Sequence, residues 1–123
     1  MLSKFKNFPN VVNVHRVFVD DHSDAEDADW KMEKYKNKVS IVQIMDHCPY
    51  GSLHDLVTET GRLPPRLARH IAGQIVAFIA EAHSVQEIAH LRLNPHSCLF
   101  DSHKRLKVSD LRNARFIKPD CAK

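Results

Sequence analysis

His90-Leu91-Arg92-Leu93-Asn94-Pro95-His96-Ser97 separates the strongest periodic signal in the chain from a small hairpin. Upstream, Leu67, Ile71, Ile75, Phe78, Ile79 and Ala82 recur at three- and four-residue steps. That spacing places side chains on one face of an α-helix. The helix is expected to start at Pro64 or Pro65, where a missing N–H costs nothing. Ala68, Ala72, Val76 and Ala80 are apolar on the adjacent face, so the helix is expected to be buried more widely than a surface helix. Downstream, Leu99-Phe100 and Leu106-Lys107-Val108 flank the polar turn Asp101-Ser102-His103-Lys104. This pattern predicts a hairpin.

Further upstream, Ser52 with Asp55 three residues on approximates a capping box for a short helix. Gly61 would end that helix. Residues 11–19 are rich in β-branched side chains, follow the Pro9-Asn10 turn signal and read as a strand. Residues 39–45 read as a second strand. Val39, Ile41, Val42, Ile44 and Met45 are all apolar, so both of its faces are expected to be covered. Between the strands lies a polar insertion, residues 20–38, acidic first and basic afterwards. It is longer than a hairpin loop of about 2–5 residues. It reads as a solvated loop, or as a docking arm anchored by Trp30 and Tyr35, since aromatic side chains are enriched at interfaces.

A chain of 123 residues has room for one small domain. Its 43% apolar content fits a globular protein. The formal charge of +3 arises from 18 basic and 15 acidic residues spread along the chain, so nucleic-acid binding does not follow. Cys48, Cys98 and Cys121 form no C-x-x-C pair. Reduced thiols in a cytoplasmic setting are therefore expected. No apolar run reaches the roughly 18 residues of a membrane span, and the N-terminus does not read as a signal peptide. Nine histidines are scattered without H-x-x-x-H or H-E-x-x-H spacing on the long helix, and no metal site is expected. No G-x-S-x-G supports serine hydrolase chemistry.

Six stretches, in order, resemble the middle of a eukaryotic-type protein kinase domain. Phe8-Pro9-Asn10-Val11-Val12 is similar to the turn into the fourth strand. Met45 to Leu53 is similar to the gatekeeper, the hinge and the start of the next helix. Gly61-Arg62-Leu63-Pro64 and Ala82-His83-Ser84 resemble the two ends of the long helix. His90 to Ser97 has the frame H-R-D-L-x-x-x-N, and Ser109 to Phe116 resembles the surroundings of D-F-G. The resemblance implies an α+β fold, a protein-kinase-like partial domain. It would hold strands 4–5 of the small lobe, the hinge, two helices, the catalytic-loop-like segment and a small hairpin. Residues 1–123 would form one partial domain, with small-lobe strands in 1–47 and the hinge and partial large lobe in 48–123. The Gly-rich loop, the strand lysine and the later large-lobe helices are expected to lie outside it.

The same resemblance implies degenerate chemistry. The base position holds Arg92, whose guanidinium has no acceptor. The loop lysine position holds Asn94, and the metal-binding Asn position holds Ser97. Asp110 is kept as one possible magnesium ligand, followed by Leu111 and by Arg112 in place of glycine. His90 matches the loop histidine, for which a structural role is expected. Arg92 and Asp110 are expected to pair and lock the loop. The chain is therefore expected to be a catalytically inactive, pseudokinase-like binding or scaffold module and not an enzyme. The alternatives are a structural subunit of a large, for example cytoskeletal, assembly, or a residual nucleotide-binding protein or atypical phosphotransferase. No cofactor is expected; ATP with magnesium is the alternative, with hinge contacts at Met45, Asp46 and Cys48. Leu67, Ile71, Ile75 and Phe78 are expected to meet a protein partner, a second copy or the remainder of the same polypeptide. No membrane or nucleic-acid partner is expected.

Overall fold

The computed structural model describes residues 8–20 and 39–117. Most of the polar insertion lies outside them, with Trp30 and Tyr35. The chain forms two compact units, residues 14–46 and residues 1–13 with 47–123. The element order mixes strands and helices, as expected of an α+β partial kinase domain.

The smaller unit is an antiparallel pair, β1 (Val14–Asp20) and β2 (Ser40–Met45). β-Branched residues favour the pleated backbone. The pairing runs from Asp20↔Ser40 to Val14↔Met45, with an irregularity between Val14 and Arg16. The expectation that both faces of the second strand are covered is not met. Ile41 is 74% exposed, and Ile44 and Met45 are exposed too. Two strands cannot bury both of their faces without a second layer.

The first predicted strand begins later than its sequence suggests. Val11 and Val12 belong to the larger unit, where both are buried. Val12 N–H donates to Val108 O at 3.0 Å, and Val108 N–H donates to Asn10 O at 2.7 Å.

The larger unit opens with α1 (Leu53–Thr60). Its capping box is complete. Asp55 N–H donates to Ser52 Oγ at 3.1 Å, and Ser52 N–H donates to Asp55 Oδ2 at 2.9 Å. Gly51, at φ +72°, precedes the cap, and a Cβ there would lie 3.0 Å from Asp55 Oδ2. Gly61 also takes a positive φ and donates to Val57 O, a turn most side chains resist. Ser52→Ala is expected to cost about 1 kcal/mol, read from thermal unfolding. The Ser52 backbone and hydroxyl hydrogen bonds hold the Asp55 carboxyl below its ordinary value. A lowered folded-state pKa stabilises the fold above the unfolded carboxylate value, and the gain disappears as pH falls through the folded one. The penalty of Ser52→Ala should therefore shrink in strong acid.

α2 (Pro65–Ser84) starts at the predicted proline. Ile71, Phe78 and Ala82 are buried, with Ile75 and Ile79 packed beside them. The expected wider burial is not found. Ala72, Val76 and Ala80 are exposed, because the described residues cover one face of this helix only. Against its buried face pack β3 (Ile88–Ala89) and β5 (Leu106–Val108), and two further strands are β4 (Cys98–Phe100) and β6 (Arg115–Phe116). β4 pairs with β5, and β3 with β6, both antiparallel. Ile88, Leu106 and Val108 are fully buried with Phe78. The hairpin and the helix thus share one core, with Val11, Cys98, Phe100 and Ala114 in it.

Candidate functional site

The segment between β3 and β4 is built from its own hydrogen bonds. His90 is 5% exposed, and Phe78 meets it edge to face at 6.1 Å between ring centres. Its Nδ1 accepts from Arg92 N–H at 3.2 Å, so Nε2 carries the proton and donates to Ser109 O at 2.9 Å. The expected structural role of His90 has this physical form: one imidazole joins the loop to the stretch after β5. Leu91 sits at φ +61° with its side chain exposed, which turns the chain outward around the buried ring.

Asn94 caps the short 3₁₀ turn at Pro95–Ser97. Its Oδ1 accepts from His96 N–H at 2.9 Å and Ser97 N–H at 3.3 Å, while its Nδ2 donates to Arg92 O at 2.9 Å. Ser97 is buried. Its hydroxyl donates to Asn94 O at 2.8 Å and accepts from Asn94 N–H at 3.1 Å. Ser97 O in turn accepts from Ser109 N–H at 2.8 Å. Asn94 and Ser97 are therefore joints of the loop.

The expected pair between Arg92 and Asp110 is replaced by another. Both oxygens of Asp110 are taken by Arg112, with Nε on Oδ1 at 2.5 Å and Nη2 on Oδ2 at 3.0 Å. Asp110 takes the left-handed backbone region, at φ +61°, and a 3₁₀ turn at Leu111–Asn113 follows. Two residues apart, the carboxylate and the guanidinium fork then meet without spanning the loop. The Arg112 hydrogen bonds hold the Asp110 carboxyl below its ordinary value, and the Arg92 charge acts in the same direction as a lesser cause. Arg92 itself is exposed. The adjacency of an acid and an arginine two residues on is the signal that would have identified this pair.

These residues do not fit a magnesium ion. The carboxylate already holds a cation of its own chain, and the Ser97 hydroxyl faces Asn94 O. Among the described residues, no group of three or more His, Cys, Asp and Glu could hold a metal. Arg112→Gly is expected to let the Asp110 carboxyl rise toward its ordinary value, read by NMR titration. It should also strengthen manganese binding at Asp110 about fivefold, as expected from losing one surface ion pair. Paramagnetic broadening of the Leu111 amide would measure the change.

The remaining predicted residues are dispersed. Met45 and Asp46 end the smaller unit, where Asp46 pairs with His15. Cys48 belongs to the larger unit, and its carbonyl accepts from Gly51 N–H at 3.3 Å. Of the helix residues expected to meet a partner, Ile71 and Phe78 are buried in the core and Ile75 packs against it. They are unavailable because the hairpin already covers them. Leu67 is 38% exposed.

A family model for the protein kinase domain matches residues 1–122. Serine/threonine protein kinases OSK3 and OSK4 of Oryza sativa subsp. indica are each 31% identical over 87 residues. The match covers 66% of this chain and 17% of each relative, so the chain spans about a sixth of their length. The expectation that the chain is not an enzyme is corrected by these matches, because the relatives are named as kinases and the matching family is one of enzymes. ATP and magnesium are that family's usual cofactors. No helix among the described residues is long and apolar enough to cross a membrane. With fold, loop order and matches in agreement, this chain belongs to the protein kinase domain family.

Proposed function

We propose that this chain acts as a protein-binding or scaffold module of the kinase family, with residues 90–97 holding the structure together. The observation that carries this reading is the outer face of α2. Ala72, Gly73, Val76, Ala77 and Ala80 are all exposed along it, and Val76 is 62% exposed. Small apolar side chains in a continuous row allow another protein surface to approach closely, and a contiguous apolar patch marks an interaction site. The loop supports the same reading, since Asn94 and Ser97 spend their polar atoms on internal bonds. A cytoplasmic setting is part of the proposal.

Thiol alkylation of Ala80→Cys in the full polypeptide, isolated from its own cells, tests this. A covered face should react at least about tenfold more slowly than the same thiol after denaturation. Equal rates would exclude a protein surface over α2.

A second reading, phosphoryl transfer, is favoured by the family and by the retention of Asp110. If the full polypeptide transfers phosphate and Asp110→Asn abolishes it, this reading replaces the first.

A further inference from the structure

A cavity of about 410 Å³ opens between α1, α2 and the β4–β5 turn. That volume lies in the range of small-molecule sites, about 300–1,000 Å³. Leu56, Leu67, Ile71 and Phe100 give it an apolar wall. Ile71 and Phe100 belong to the core, while Leu67 is 38% exposed. The wall is therefore held in place by the core and open at one edge. None of residues 90–97 lines it.

Asp55, Glu59, His70 and Lys104 line the same cavity, and all four are exposed. Asp55 and Glu59 stand four residues apart on α1, a spacing that puts both on one face of a helix. Asp55 gives its Oδ2 to the Ser52 N–H and hydroxyl and keeps Oδ1 for other groups. Glu59 has no hydrogen bond or ion pair among the described residues. Lys104 forms no ion pair with either carboxylate. Its Nζ lies 5.3 Å from the centre of the Tyr50 ring, another lining residue. The Gln74 amide takes no part. Its Oε1 accepts from Leu106 N–H at 2.9 Å, and its Nε2 is sealed from solvent.

Two carboxylates against one ammonium leave the lining with an excess of negative charge. A neutral His70 does not cancel that excess, and its ring nitrogen offers an acceptor to an N–H. A cation on an apolar body matches both parts of the lining. The chain's own Lys104 already places an alkylammonium against Tyr50, the attraction of a cation for an aromatic face.

We propose that this cavity binds a small organic cation, an ammonium carried on an aromatic or branched aliphatic body. The body packs against Leu56, Leu67 and Ile71, and the ammonium sits beside Glu59 and Asp55.

2-Phenylethylamine, 2-phenylethanol and 3-phenylpropanoate test this directly. They share a phenylethyl body and carry a positive, a neutral and a negative head. Each is titrated into the full polypeptide at constant ionic strength and about pH 8, where an imidazole is neutral. The Ile71 methyl resonance is followed by NMR. The amine should bind about fivefold more tightly than the alcohol, the upper value of one exposed ion pair. The carboxylate should bind most weakly. Glu59→Gln, at an exposed position, should reduce the preference for the amine to less than about twofold. Lys104→Met keeps the side-chain stem and removes the competing charge, so it should tighten amine binding about threefold. Equal affinities for amine and alcohol would overturn the proposal. So would tighter binding of the carboxylate, an unmoved Ile71 resonance at tens of millimolar, a preference unchanged in Glu59→Gln, or weaker amine binding in Lys104→Met.

Discussion

Phe78→Ala should destabilise the protein by about 3–5 kcal/mol, the range for deleting a fully buried aromatic side chain. Phe78 is 1% exposed. It lies in the core that joins α2 to the hairpin, and its ring meets the edge of His90. Its loss opens a cavity under the loop as well as removing transfer energy. The urea unfolding midpoint of the full polypeptide measures the change, compared with Val76→Ala on the outer face of the same helix. Val76 is 62% exposed, so that substitution should change stability by less than about 0.5 kcal/mol. A comparable loss in both variants would mean that the two faces of α2 are not packed as described.

His90→Phe should cost roughly 3 kcal/mol while keeping the bulk of the ring. Two partners are left behind, the Ser109 carbonyl and the Arg92 amide. Each unpaired buried group costs about 1–3 kcal/mol. The loss should appear in thermal unfolding and in faster hydrogen exchange of the Arg92 amide. If His90→Phe were as stable as the original, the imidazole would not be a joint of the fold. Asn94→Ala removes the cap of the 3₁₀ turn and gives a smaller reference loss, about 1 kcal/mol.

The loop and Asp110 bear differently on function. His90, Asn94 and Ser97 are bound to backbone on the loop itself or after β5, and so fix a shape. Asp110 is bound by Arg112 on a turn, and an ion pair of that kind is weak enough to exchange. The Arg112 contact is therefore the feature at this site whose removal frees a carboxylate.

Much of this was legible in the chain. The cap at Ser52, the stop at Gly61 and the start at Pro65 are local, so the residues that make them are neighbours in sequence. The β4–β5 hairpin follows from its short polar turn. The kinase frame of residues 90–97 was readable because motif spacing is itself a sequence property. Which face of α2 would be buried was only half legible. Ile71 and Ala72 are equally acceptable inside a core, and the position of the hairpin chose Ile71. The assignment of Val11 and Val12 also depended on pairing, because Val108 lies nearly a hundred residues away in the chain and the bond to it is long-range.

By itself the sequence determined the local elements, the family frame and the loss of an acceptor at Arg92, because each depends on residue type and short spacing. Only the tertiary structure decided that Arg112 and not Arg92 holds Asp110, and that Ile71 and Phe78 are core. These are contacts between side chains whose distance depends on backbone turns and on packing between elements. Composition and periodicity do not encode them one residue at a time.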